Sequence, residues 1–496
     1  MNEPRLTEPI HHQDLSRPQL GRATGAIVGS AVGDALGAPF EFGEPGEYLR
    51  RFPVPVVGGI GEMVGGGGFG WAPGEFTDDT QMALALGEAL IEADGFDPDT
   101  VWTRFVSWSR TANDVGITTR IALSQPGWQG AALASHRATN GKSASNGCVM
   151  RIAPVGVLGV RLGRDESMRI AVAQAELTHH DPASAAGAAL VAEIIRLTII
   201  TGEFVPSLVA AYEWLLGTSV GPVLESQYAH LVSPAFNPRT HSGPGNGSVW
   251  TAVAQAVWAV RTTNSFHDAM VAAIELGGDT DTVAAIAGSM AGALYGVQAI
   301  PSRWTTYLHG SVTDPAGRTV RYDTQGLVGM TRRLLGKSAV HENPPEPYID
   351  PQVVHPAGVM ASNLVGATLV DPSTAVVSLC LTGDRFADKP YRRAVYMRDE
   401  PGDHNPRLLE ALTDAVDSID AFLAEGRDVV VHCHGGRSRT GFVLKAWYMR
   451  HEGVSHAAAH EWMLDTWPHY RTWTDTFWEL LDDEWTRHVE RSGRAQ

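Results

Sequence analysis

One segment near the end of the chain has the residue types and spacing of a nucleophilic, anion-binding loop. The run VVVHCHGGRSRTG at 429–441 places Cys433 after an apolar, strand-like stretch, and five residues separate it from Arg439. A loop that passes from a strand into a helix presents backbone N–H groups to an anion. The helix dipole and Arg439 would favour the thiolate of Cys433, and Arg439 can hold two phosphate oxygens. The segment therefore predicts a reactive cysteine in a phosphate site; a buried cysteine at a strand end is the alternative.

Two acidic clusters in the first half of the chain could hold metal ions. Thr-Asp-Asp-Thr at 77–80 precedes one apolar helical run, and Asp-Thr-Asp-Thr at 279–282 precedes another. Taken singly, either cluster suits a helix N-terminus, where Asp and Thr are preferred caps. Together they would bring four carboxylates into one small volume, where like charges repel unless a cation neutralises them. The ligands are oxygens without His or Cys, so Mg²⁺ or Mn²⁺ is indicated and Zn²⁺ is not.

Helices must position these clusters. Ala-rich apolar repeats predict helices at 79–92, 183–199, 249–261 and 282–296, and alternating strands are few, so we expect a mostly α domain. Glycines recur at every fourth position in two regions, which predicts ridges that allow close helix packing. Asp34 lies within the first ridge and needs a partner or a metal, and Glu41 follows it.

The helical, Ala-rich pattern of the sequence ends at a polar, proline-rich segment. HENPPEPYIDPQ at 341–352 cannot continue a helix and is predicted to be a linker. Beyond it, β-branched runs at 375–381 and 428–431 suit buried strands, and helical stretches at 407–424 and 440–450 alternate with them. We therefore predict a multidomain chain, with an all-α domain at 18–340, the linker, and an α/β domain at 353–490.

Composition excludes some classes of function. The 496 residues carry a formal net charge of −17, which disfavours a general nucleic-acid binder or an anionic-membrane binder. Three cysteines cannot form a disulfide framework, and the first residues lack an apolar signal core, so we expect a cytoplasmic protein. The longest apolar stretch, at 283–300, is mildly hydrophobic and adjoins acidic residues, so a buried helix is expected rather than a membrane span.

Five motifs occur in a fixed order between residues 20 and 335: GDALGAPFEF, FTDDTQM, NGCVMRIAPVG, LTHHDPASA and LGGDTDTVAAIAGSMAGALYG. The set resembles the ADP-ribosylglycohydrolase family. The resemblance implies an all-helical domain, two divalent metal ions (Mg²⁺ or Mn²⁺) and cleavage of the glycosidic bond at C1″ of ADP-ribose. The metal ligands that it implies are Thr77, Asp78, Asp79, Asp279, Asp281 and Thr282.

The same resemblance implies further site residues. Glu41 resembles the flexible-loop glutamate at the family's metal centre, and Asp114, in NDVGITT, resembles the acid near the scissile bond. Along the ADP-ribose cleft we expect Asn146, Gly147 and Met150. His179 would contact the nucleotide, although an ordinary hydrogen-bonded histidine is an equal expectation.

The cysteine loop resembles the protein tyrosine and dual-specificity phosphatases, whose signature is His-Cys, five residues, Arg and Ser or Thr. The resemblance implies a small, mainly parallel sheet flanked by helices. Cys433 would attack phosphorus, Arg439 would stabilise the equatorial oxygens, and Thr440 would assist departure of the sulfur. The loop residues that would bind the phosphate are His434, Gly435, Gly436, Arg437 and Ser438.

These phosphatases also need an acid that protonates the leaving oxygen. Asp403 is favoured, because Asp-His-Asn-Pro at 403–406 resembles the acid loop of the tensin-like phosphatases; Asp399 is the alternative. The pair Trp467-Pro468 follows the cysteine and lacks an Asp, so we interpret it as structural.

The expected function is that of a bifunctional hydrolase. It would release ADP-ribose from an ADP-ribosylated protein or a small conjugate, and phosphate from a phosphorylated protein or a small phosphoester. One alternative is a glycohydrolase with a non-catalytic domain that reads phosphate; another has both domains act in sequence on one small nucleotide metabolite. The loop carries His434 and Arg437 rather than several lysines, which disfavours a phosphoinositide. The ADP-ribosyl linkage (arginine, serine or ester) stays open.

Overall fold

The structure is a computed structural model that describes residues 4–240, 245–337, 346–400, 404–472 and 474–493. Two compact units make up the chain. The first comprises residues 1–54, 62–300 and 307–340, and the second comprises 341–496 with the short segments 55–61 and 301–306. The predicted linker at 341–352 lies partly outside the described residues, so the domain bounds stay a prediction.

Helices dominate the chain up to residue 334, as predicted. Their bounds are α1 (Pro4–Thr7), α2 (Arg17–Gly37), α3 (Glu47–Arg51), α4 (Asp78–Glu92), α5 (Pro98–Ser109), α6 (Ile117–Leu123), α7 (Ala131–Ala138), α8 (Ala153–Leu162), α9 (Arg164–Glu176), α10 (Pro182–Thr201), α11 (Phe204–Leu216), α12 (Gly221–Tyr228), α13 (Val249–Arg261), α14 (Phe266–Ile274), α15 (Thr280–Tyr295), α16 (Ser302–Thr305) and α17 (Thr324–Leu334).

Capping chemistry sets the starts of the helices that matter for the site. Helix α2 begins with a capping box, in which Ser16 Oγ accepts from Gln19 N at 3.3 Å and Gln19 Oε1 accepts from Ser16 N at 2.9 Å. Thr77 is the N-cap of α4, whereas Asp279 precedes α15 without a capping hydrogen bond from its side chain. The Asp279 carboxylate is therefore not used for capping.

Helix α10 is long and apolar enough to cross a membrane, with a mean hydropathy of 1.7 over 18 residues. Within the first unit, however, 94% of that window is buried, against helices that include α8, α9 and α11. The apolar stretch at 283–300 forms the greater part of α15, and this helix is also buried, as predicted.

A two-stranded hairpin accompanies the helices of the first unit. Strand β1 (His309–Thr313) pairs antiparallel with β2 (Thr319–Asp323), and His309 lies opposite Asp323. The connection reads Asp-Pro-Ala-Gly at 314–317, and Gly317 has φ +79°. The turn residues of this segment signal a hairpin, which the sequence analysis did not identify.

The second unit contains a five-stranded sheet with helices on it, which confirms the α/β prediction. Its strands are β3 (Gln352–His355), β4 (Val359–Asn363), β5 (Ala375–Ser378), β6 (Arg392–Ala394) and β7 (Val429–Cys433), in the order β3-β4-β7-β5-β6. Only the β3–β4 pair is antiparallel. The helices are α18 (Leu364–Ala367), α19 (Leu408–Ala424), α20 (Ser438–Glu452), α21 (His456–Thr466), α22 (Asp475–Leu480) and α23 (Thr486–Gly493).

The central strand β7 is buried on both faces. Val429 and Val431 belong to the larger apolar cluster, with residues of α19 and α20, while Val430 belongs to a smaller cluster on the opposite face. This alternation is typical of a parallel strand covered on both sides. It places Cys433 at the carboxyl end of a rigid strand, directly before the loop that leads into α20.

Candidate metal centre and phosphate-binding loop

Two glycine ridges bring the acidic clusters of the first unit together. Along α2 and α15 the ridges face each other, so a Cβ added at Gly29 would overlap the Gly288 carbonyl, and one at Gly25 would overlap the Gly292 carbonyl. At the end of the contact, a Cβ on Gly37 would lie 2.6 Å from the backbone nitrogen of Asp281. The predicted close packing is confirmed, and it brings the N-terminus of α15 against the end of α2.

Asp34 joins α2 to the start of α4. Its carboxylate accepts from Thr77 N at 3.0 Å, from Thr80 N at 3.0 Å and from Thr80 Oγ1 at 2.6 Å. Burial raises the pKa of Asp34 to about 6, although these hydrogen bonds oppose the shift. Asp34 therefore has the partner that its burial requires, and it fixes the segment that carries Asp78 and Asp79.

The carboxylates form two overlapping groups whose oxygens could share a cation. Asp34, Asp79 and Asp281 have oxygens within 4.8 Å of one another, and so do Glu41, Asp279 and Asp281. Among the described residues, the buried atoms Asp79 Oδ1 and Glu41 Oε2 have no hydrogen-bond partner. Both atoms lack the donor that a buried carboxylate oxygen needs, which is what a cation would supply.

Electrostatic repulsion in this centre is severe. Burial, followed by the neighbouring carboxylate of Asp79, raises the pKa of Asp281 well above its usual value. Burial, with Asp279 and Asp114 as the next causes, raises the pKa of Glu41 to about 8. Bringing these acids together in the ionised form therefore requires positive charge. Because every donor is a hard oxygen, the residues present fit divalent cations of the Mg²⁺ or Mn²⁺ class.

The remaining predicted ligands surround the same centre. Thr77 Oγ1 and Thr282 Oγ1 each lie 3.4 Å from Asp79 Oδ2. Asp78 is 7% exposed, and burial and then Asp114 raise its pKa well above the usual value. Burial also raises the pKa of Asp114, against the opposing charge of Arg120.

Two asparagines hold Asp279 in place. Asn146 Nδ2 donates to Asp279 Oδ2 at 2.8 Å and to the Asn246 carbonyl at 2.9 Å. Asn246 Oδ1 in turn accepts from Asp279 N at 3.0 Å, and its amide nitrogen donates to the Gly277 carbonyl at 2.9 Å. Asn146 was predicted from the sequence, whereas Asn246 was not, because its Gly-Asn-Gly context resembles an ordinary loop.

His179 lies behind the segment that carries Asn146. The ring is 1% exposed, and its nitrogens lie 2.8 Å from Thr178 Oγ1 and 2.8 Å from Ser145 Oγ. Burial lowers the pKa of His179 to about 3, so the ring is neutral at ordinary pH. A Cβ on Gly147 would lie 3.3 Å from His179 Cε1. Met150 is buried as well. His179 and Met150 therefore support the segment that carries Asn146, and they would affect a bound ligand indirectly.

The candidate site of the second unit is the loop between β7 and α20. Gly436 has φ +67°, and a Cβ there would lie 2.7 Å from the Ser362 carbonyl at the end of β4. Trp467 Nε1 donates to the Gly436 carbonyl at 2.7 Å, which gives the Trp-Pro pair the structural role that was predicted for it. The loop is thus fixed from two sides, in a backbone conformation that glycine adopts without strain.

Several donors in the first turn of α20, directly after this loop, have no hydrogen-bond partner among the described residues. Arg439 Nη1 donates to the carbonyls of Leu379 at 2.8 Å and Met397 at 3.2 Å. Arg439 Nε and the hydroxyls of Ser438 and Thr440 are buried without a hydrogen-bond partner in the described part of the chain. Buried donors without a partner, in the first turn of the helix that follows the Cys433 loop, are suited to an anion's oxygens.

Acidic side chains approach the loop from two segments. Asp399 Oδ2 lies 3.8 Å from Arg439 Nε, while Asp399 Oδ1 is buried and unpaired among the described residues. Glu346 Oε2 lies 3.6 Å from Arg437 Nη2, and Glu346 Oε1 lies 3.9 Å from His434 Nδ1. Both carboxylates lie close enough to the loop to repel a phosphate that binds there.

The predicted acid Asp403 lies outside the described residues, but residues on either side of it are joined by hydrogen bonds. Asn405 Oδ1 accepts from Arg398 N at 2.9 Å, and Asn405 Nδ2 donates to the Arg398 carbonyl at 2.9 Å. These two bonds hold Asn405 against Arg398, the neighbour of Asp399, which faces Arg439 at 3.8 Å.

Comparison with known proteins identifies both units. A model of the ADP-ribosylglycohydrolase family matches residues 16–343. The chain belongs to this family. An ADP-ribosylarginine hydrolase of Serratia proteamaculans is 34% identical over 298 residues, 58% of this chain and 74% of the relative. An ADP-ribosyl-[dinitrogen reductase] glycohydrolase of Rhodospirillum rubrum is 31% identical over 311 residues, 62% of this chain and 96% of the relative.

A second family model, the catalytic domain of dual-specificity phosphatases, matches residues 379–481. This member of the ADP-ribosylglycohydrolase family therefore carries a phosphatase-like domain as well. A solved structure described as an ADP-ribosylglycohydrolase-related protein complex is 29% identical, covers 65% of this chain and 99% of its own, and has a TM-score of 0.49. Both resemblances from sequence are confirmed at the level of family and fold.

Proposed function

We propose that the chain is a bifunctional hydrolase with a metal-dependent ADP-ribosylglycohydrolase site and a cysteine-dependent phosphomonoesterase site. The observation that carries the first activity is the pair of buried, unpartnered oxygens, Asp79 Oδ1 and Glu41 Oε2, inside a cluster of acids. For the second activity it is the set of donors at Ser438, Arg439 and Thr440 that have no hydrogen-bond partner among the described residues, at the start of the helix that follows the Cys433 loop.

In the first site, the residues that would hold two divalent cations are Thr77, Asp78, Asp79, Asp279, Asp281 and Thr282, with Asp34 and Glu41 at the same centre. Bound there, the cations would supply positive charge that orients ribose hydroxyls and a water molecule. The asparagines at 146 and 246 keep Asp279 aimed at this centre. Departure of the leaving group puts oxocarbenium charge near C1″, which a neighbouring carboxylate such as Asp114 stabilises electrostatically.

The first substrate to test is ADP-ribosylarginine. A relative that is 34% identical to this chain is named an ADP-ribosylarginine hydrolase. Its match covers 58% of this chain, so we propose the same linkage for this chain, on a protein or on a small conjugate.

A direct assay measures ADP-ribose by mass spectrometry after incubation with arginine-linked and serine-linked ADP-ribosyl peptides and Mg²⁺. We expect release from the arginine-linked peptide, loss of release with EDTA, and recovery with Mg²⁺ or Mn²⁺. Asp281→Asn is the matched inactive control. Equal turnover in EDTA would refute metal dependence, and release from serine alone would refute the proposed linkage.

In the second site, Cys433 would attack phosphorus while Arg439 and the amides of the loop at 434–438 stabilise the equatorial oxygens. We keep Asp403 as the proton donor to the leaving oxygen, and Asp399 as the residue that orients Arg439. Thr440 Oγ1, unpaired among the described residues, is free to donate to the departing sulfur.

Trapping distinguishes catalysis from a reader domain. With p-nitrophenyl phosphate we expect turnover, and on acid quenching we expect a phosphate adduct on the peptide that contains Cys433. The Cys433→Ser protein should form no adduct. Binding of a phosphopeptide without turnover or adduct would replace the phosphatase proposal with the reader alternative.

A further inference from the structure

Two histidines and a glutamate of the second unit converge at a place that neither proposed reaction uses. His355 ends strand β3, and His451 and Glu452 are the last two residues of α20. One ring nitrogen from each histidine and one oxygen of Glu452 all lie within 4.8 Å of one another. The cluster therefore joins the β3–β4 hairpin to the end of the helix that begins at the phosphate loop.

The separations within this cluster suit a small transition-metal ion. Glu452 Oε1 lies 3.1 Å from His355 Nε2 and 3.8 Å from His451 Nε2. In a tetrahedral zinc site, metal–ligand bonds of about 2.0–2.2 Å place neighbouring ligand atoms about 3.4 Å apart. The two separations lie on either side of this value. The side chains of His451 and Glu452 are 39% and 41% exposed, which leaves room for small rotations and for water as a fourth ligand.

The position of Glu452 in its helix favours a cation beside it. The carbonyl groups at the C-terminus of a helix carry a partial negative charge, which stabilises basic side chains and disfavours acidic ones. Glu452 is nevertheless the last residue of α20. A divalent ion held by the three side chains would neutralise this carboxylate and would also interact favourably with the helix end.

Aromatic side chains orient the rings of both histidines. The His451 ring stacks on Trp447, with centroids 4.6 Å apart and an angle of 20° between the planes. The His355 ring meets Trp447 edge-on at 5.0 Å and Tyr448 at 5.8 Å. Trp447 is fully buried, so this support is rigid. Apolar groups around metal ligands restrict the access of water, and the aromatic rings provide such a surrounding here.

One hydrogen bond of His355 must change when an ion binds. Its Nδ1 accepts from Ala357 N at 3.2 Å, so without a metal Nε2 carries the proton and donates it to Glu452. With a metal at Nε2, the ring proton is on Nδ1 and the amide of Ala357 must turn to water. Ala357 is exposed in the turn between β3 and β4, and its bond is at the long end of the usual range, so this exchange costs little.

We infer that His355, His451 and Glu452 form a site for one ion of the Zn²⁺ class, which fastens the β3–β4 hairpin to the end of α20. Nitrogen ligands distinguish it from the acidic centre of the first unit, whose oxygen donors suit Mg²⁺ or Mn²⁺. Because the Ser362 carbonyl of β4 lies against Gly436, the ion would stabilise the surroundings of the phosphate loop without taking part in a reaction. The inference depends on neither proposed activity.

Cobalt spectroscopy and zinc calorimetry test the site on the full chain. The Cys433→Ser protein is used with excess Mg²⁺, which removes the reactive thiol as a competing ligand and fills the acidic centre. We expect one Co²⁺ per chain, with the visible absorption of a four-coordinate, nitrogen-ligated ion, and displacement of Co²⁺ by Zn²⁺. Zn²⁺ should also raise the melting temperature, because it binds the folded state. Failure of both ions to bind under these conditions would overturn the inference.

Variants at the exposed ligands assign the ion to this cluster. Glu452→Gln and His451→Phe should each weaken Zn²⁺ binding by at least about tenfold, since each removes one ligand. The phenylalanine keeps a ring that can stack on Trp447. Unchanged Zn²⁺ affinity in His451→Phe would therefore reduce His451 to a packing role and refute the site.

A second histidine–carboxylate pair provides the matched control. His267 Nδ1 lies 3.1 Å from Asp268 Oδ1, the same separation as between His355 and Glu452, but this pair belongs to no three-ligand group of the described residues. His267→Gln should leave the Zn²⁺ affinity unchanged. A loss of affinity in His267→Gln as large as in Glu452→Gln would show that the ion binds elsewhere.

Discussion

The acidic centre and the phosphate loop are built by different means. The acidic centre draws its carboxylates from helix termini far apart in sequence, and the opposed glycine ridges of α2 and α15 bring those termini together. The phosphate loop is one continuous segment between β7 and α20, and its neighbours mainly hold its shape. One site is therefore a product of tertiary packing, whereas the other is a product of local backbone geometry.

The two sites also carry opposite electrostatic problems. In the first, burial and then the neighbouring carboxylates raise the pKa values of Asp79 and Asp281, and two buried carboxylate oxygens lack donors among the described residues. In the second, buried donors lack acceptors. Each arrangement is costly until a ligand of the complementary charge arrives, a cation in one and an anion in the other. The comparison teaches that the prevailing sign of the unsatisfied polar atoms indicates the sign of the ligand. The opposing atom at the second site, Asp399 Oδ1, belongs to the carboxylate that faces Arg439.

The largest predicted effect is a double dissociation between the two sites. Cys433→Ser should lower phosphatase kcat by at least about a thousandfold and leave ADP-ribose release unchanged, because it removes the nucleophile. Asp281→Asn should do the reverse, because it removes charge at the point that both carboxylate groups share. Both activities are measured on each purified variant. Loss of both activities in either variant would contradict two independent sites.

The next effect tests which acid serves the phosphate loop. Asp403→Asn should lower kcat by about a hundredfold for an alkyl phosphate and by less for p-nitrophenyl phosphate, whose leaving group needs little protonation. Asp399→Asn should act on both substrates alike, because it disturbs Arg439 rather than the leaving oxygen. If the loss of kcat depended on the leaving group in Asp399→Asn instead, Asp399 would be the proton donor and Asp403 would not.

These differences explain how far the sequence could predict the sites. The contiguous loop could be predicted almost completely, because Cys433, Arg439 and the glycines between them are all local signals. The acid clusters were also recognisable, but their contact depends on Gly29 and Gly288 meeting across two helices, and only the packing shows that. Asn246 had no distinctive local pattern, since its function lies in bonds to Asp279 and Gly277.

The fold, like the sites, could be predicted where the signals are local in the sequence and not where separate segments create the feature. The apolar repeats predicted α4, α10, α13, α15, α19 and α20 to within about two residues at each end, and β-branched runs predicted the central strands β5 and β7. Sequence analysis missed the β1–β2 hairpin, because its outward residues are polar and only the Asp-Pro-Ala-Gly turn marks it. The cluster of His355, His451 and Glu452 was not identified from the sequence either, because its members come from separate segments.

Two glycine substitutions sharpen the contrast between packing and local geometry. Gly29→Ala should destabilise the first unit by about 1–3 kcal/mol and weaken metal-dependent ADP-ribose release, because the added methyl forces α2 from α15. Gly436→Ala should impair only the phosphatase, because it strains the loop at φ +67° against Ser362. Thermal melts and both activities measure these effects.

Each glycine has a matched control. Gly68→Ala places its methyl where no atom lies within 4 Å, and Gly453→Ala has the positive φ of +66° without overlap. If Gly68→Ala impaired ADP-ribose release as much as Gly29→Ala, the ridge would not be what assembles the acidic centre.

The smallest predicted effect isolates one hydrogen bond to the phosphate loop. Trp467→Phe removes the donor to the Gly436 carbonyl and should cost about 1 kcal/mol, seen as an approximately fivefold loss in kcat/KM. Trp485→Phe is the matched control: Trp485 is also buried, and its Nε1 donates to the Ala446 carbonyl at 3.0 Å, within helix α20 rather than the loop. It should lose similar stability and retain kcat/KM. Equal kinetic losses in both variants would mean that the loop responds to the stability of the whole unit, and that Trp467 does not position it.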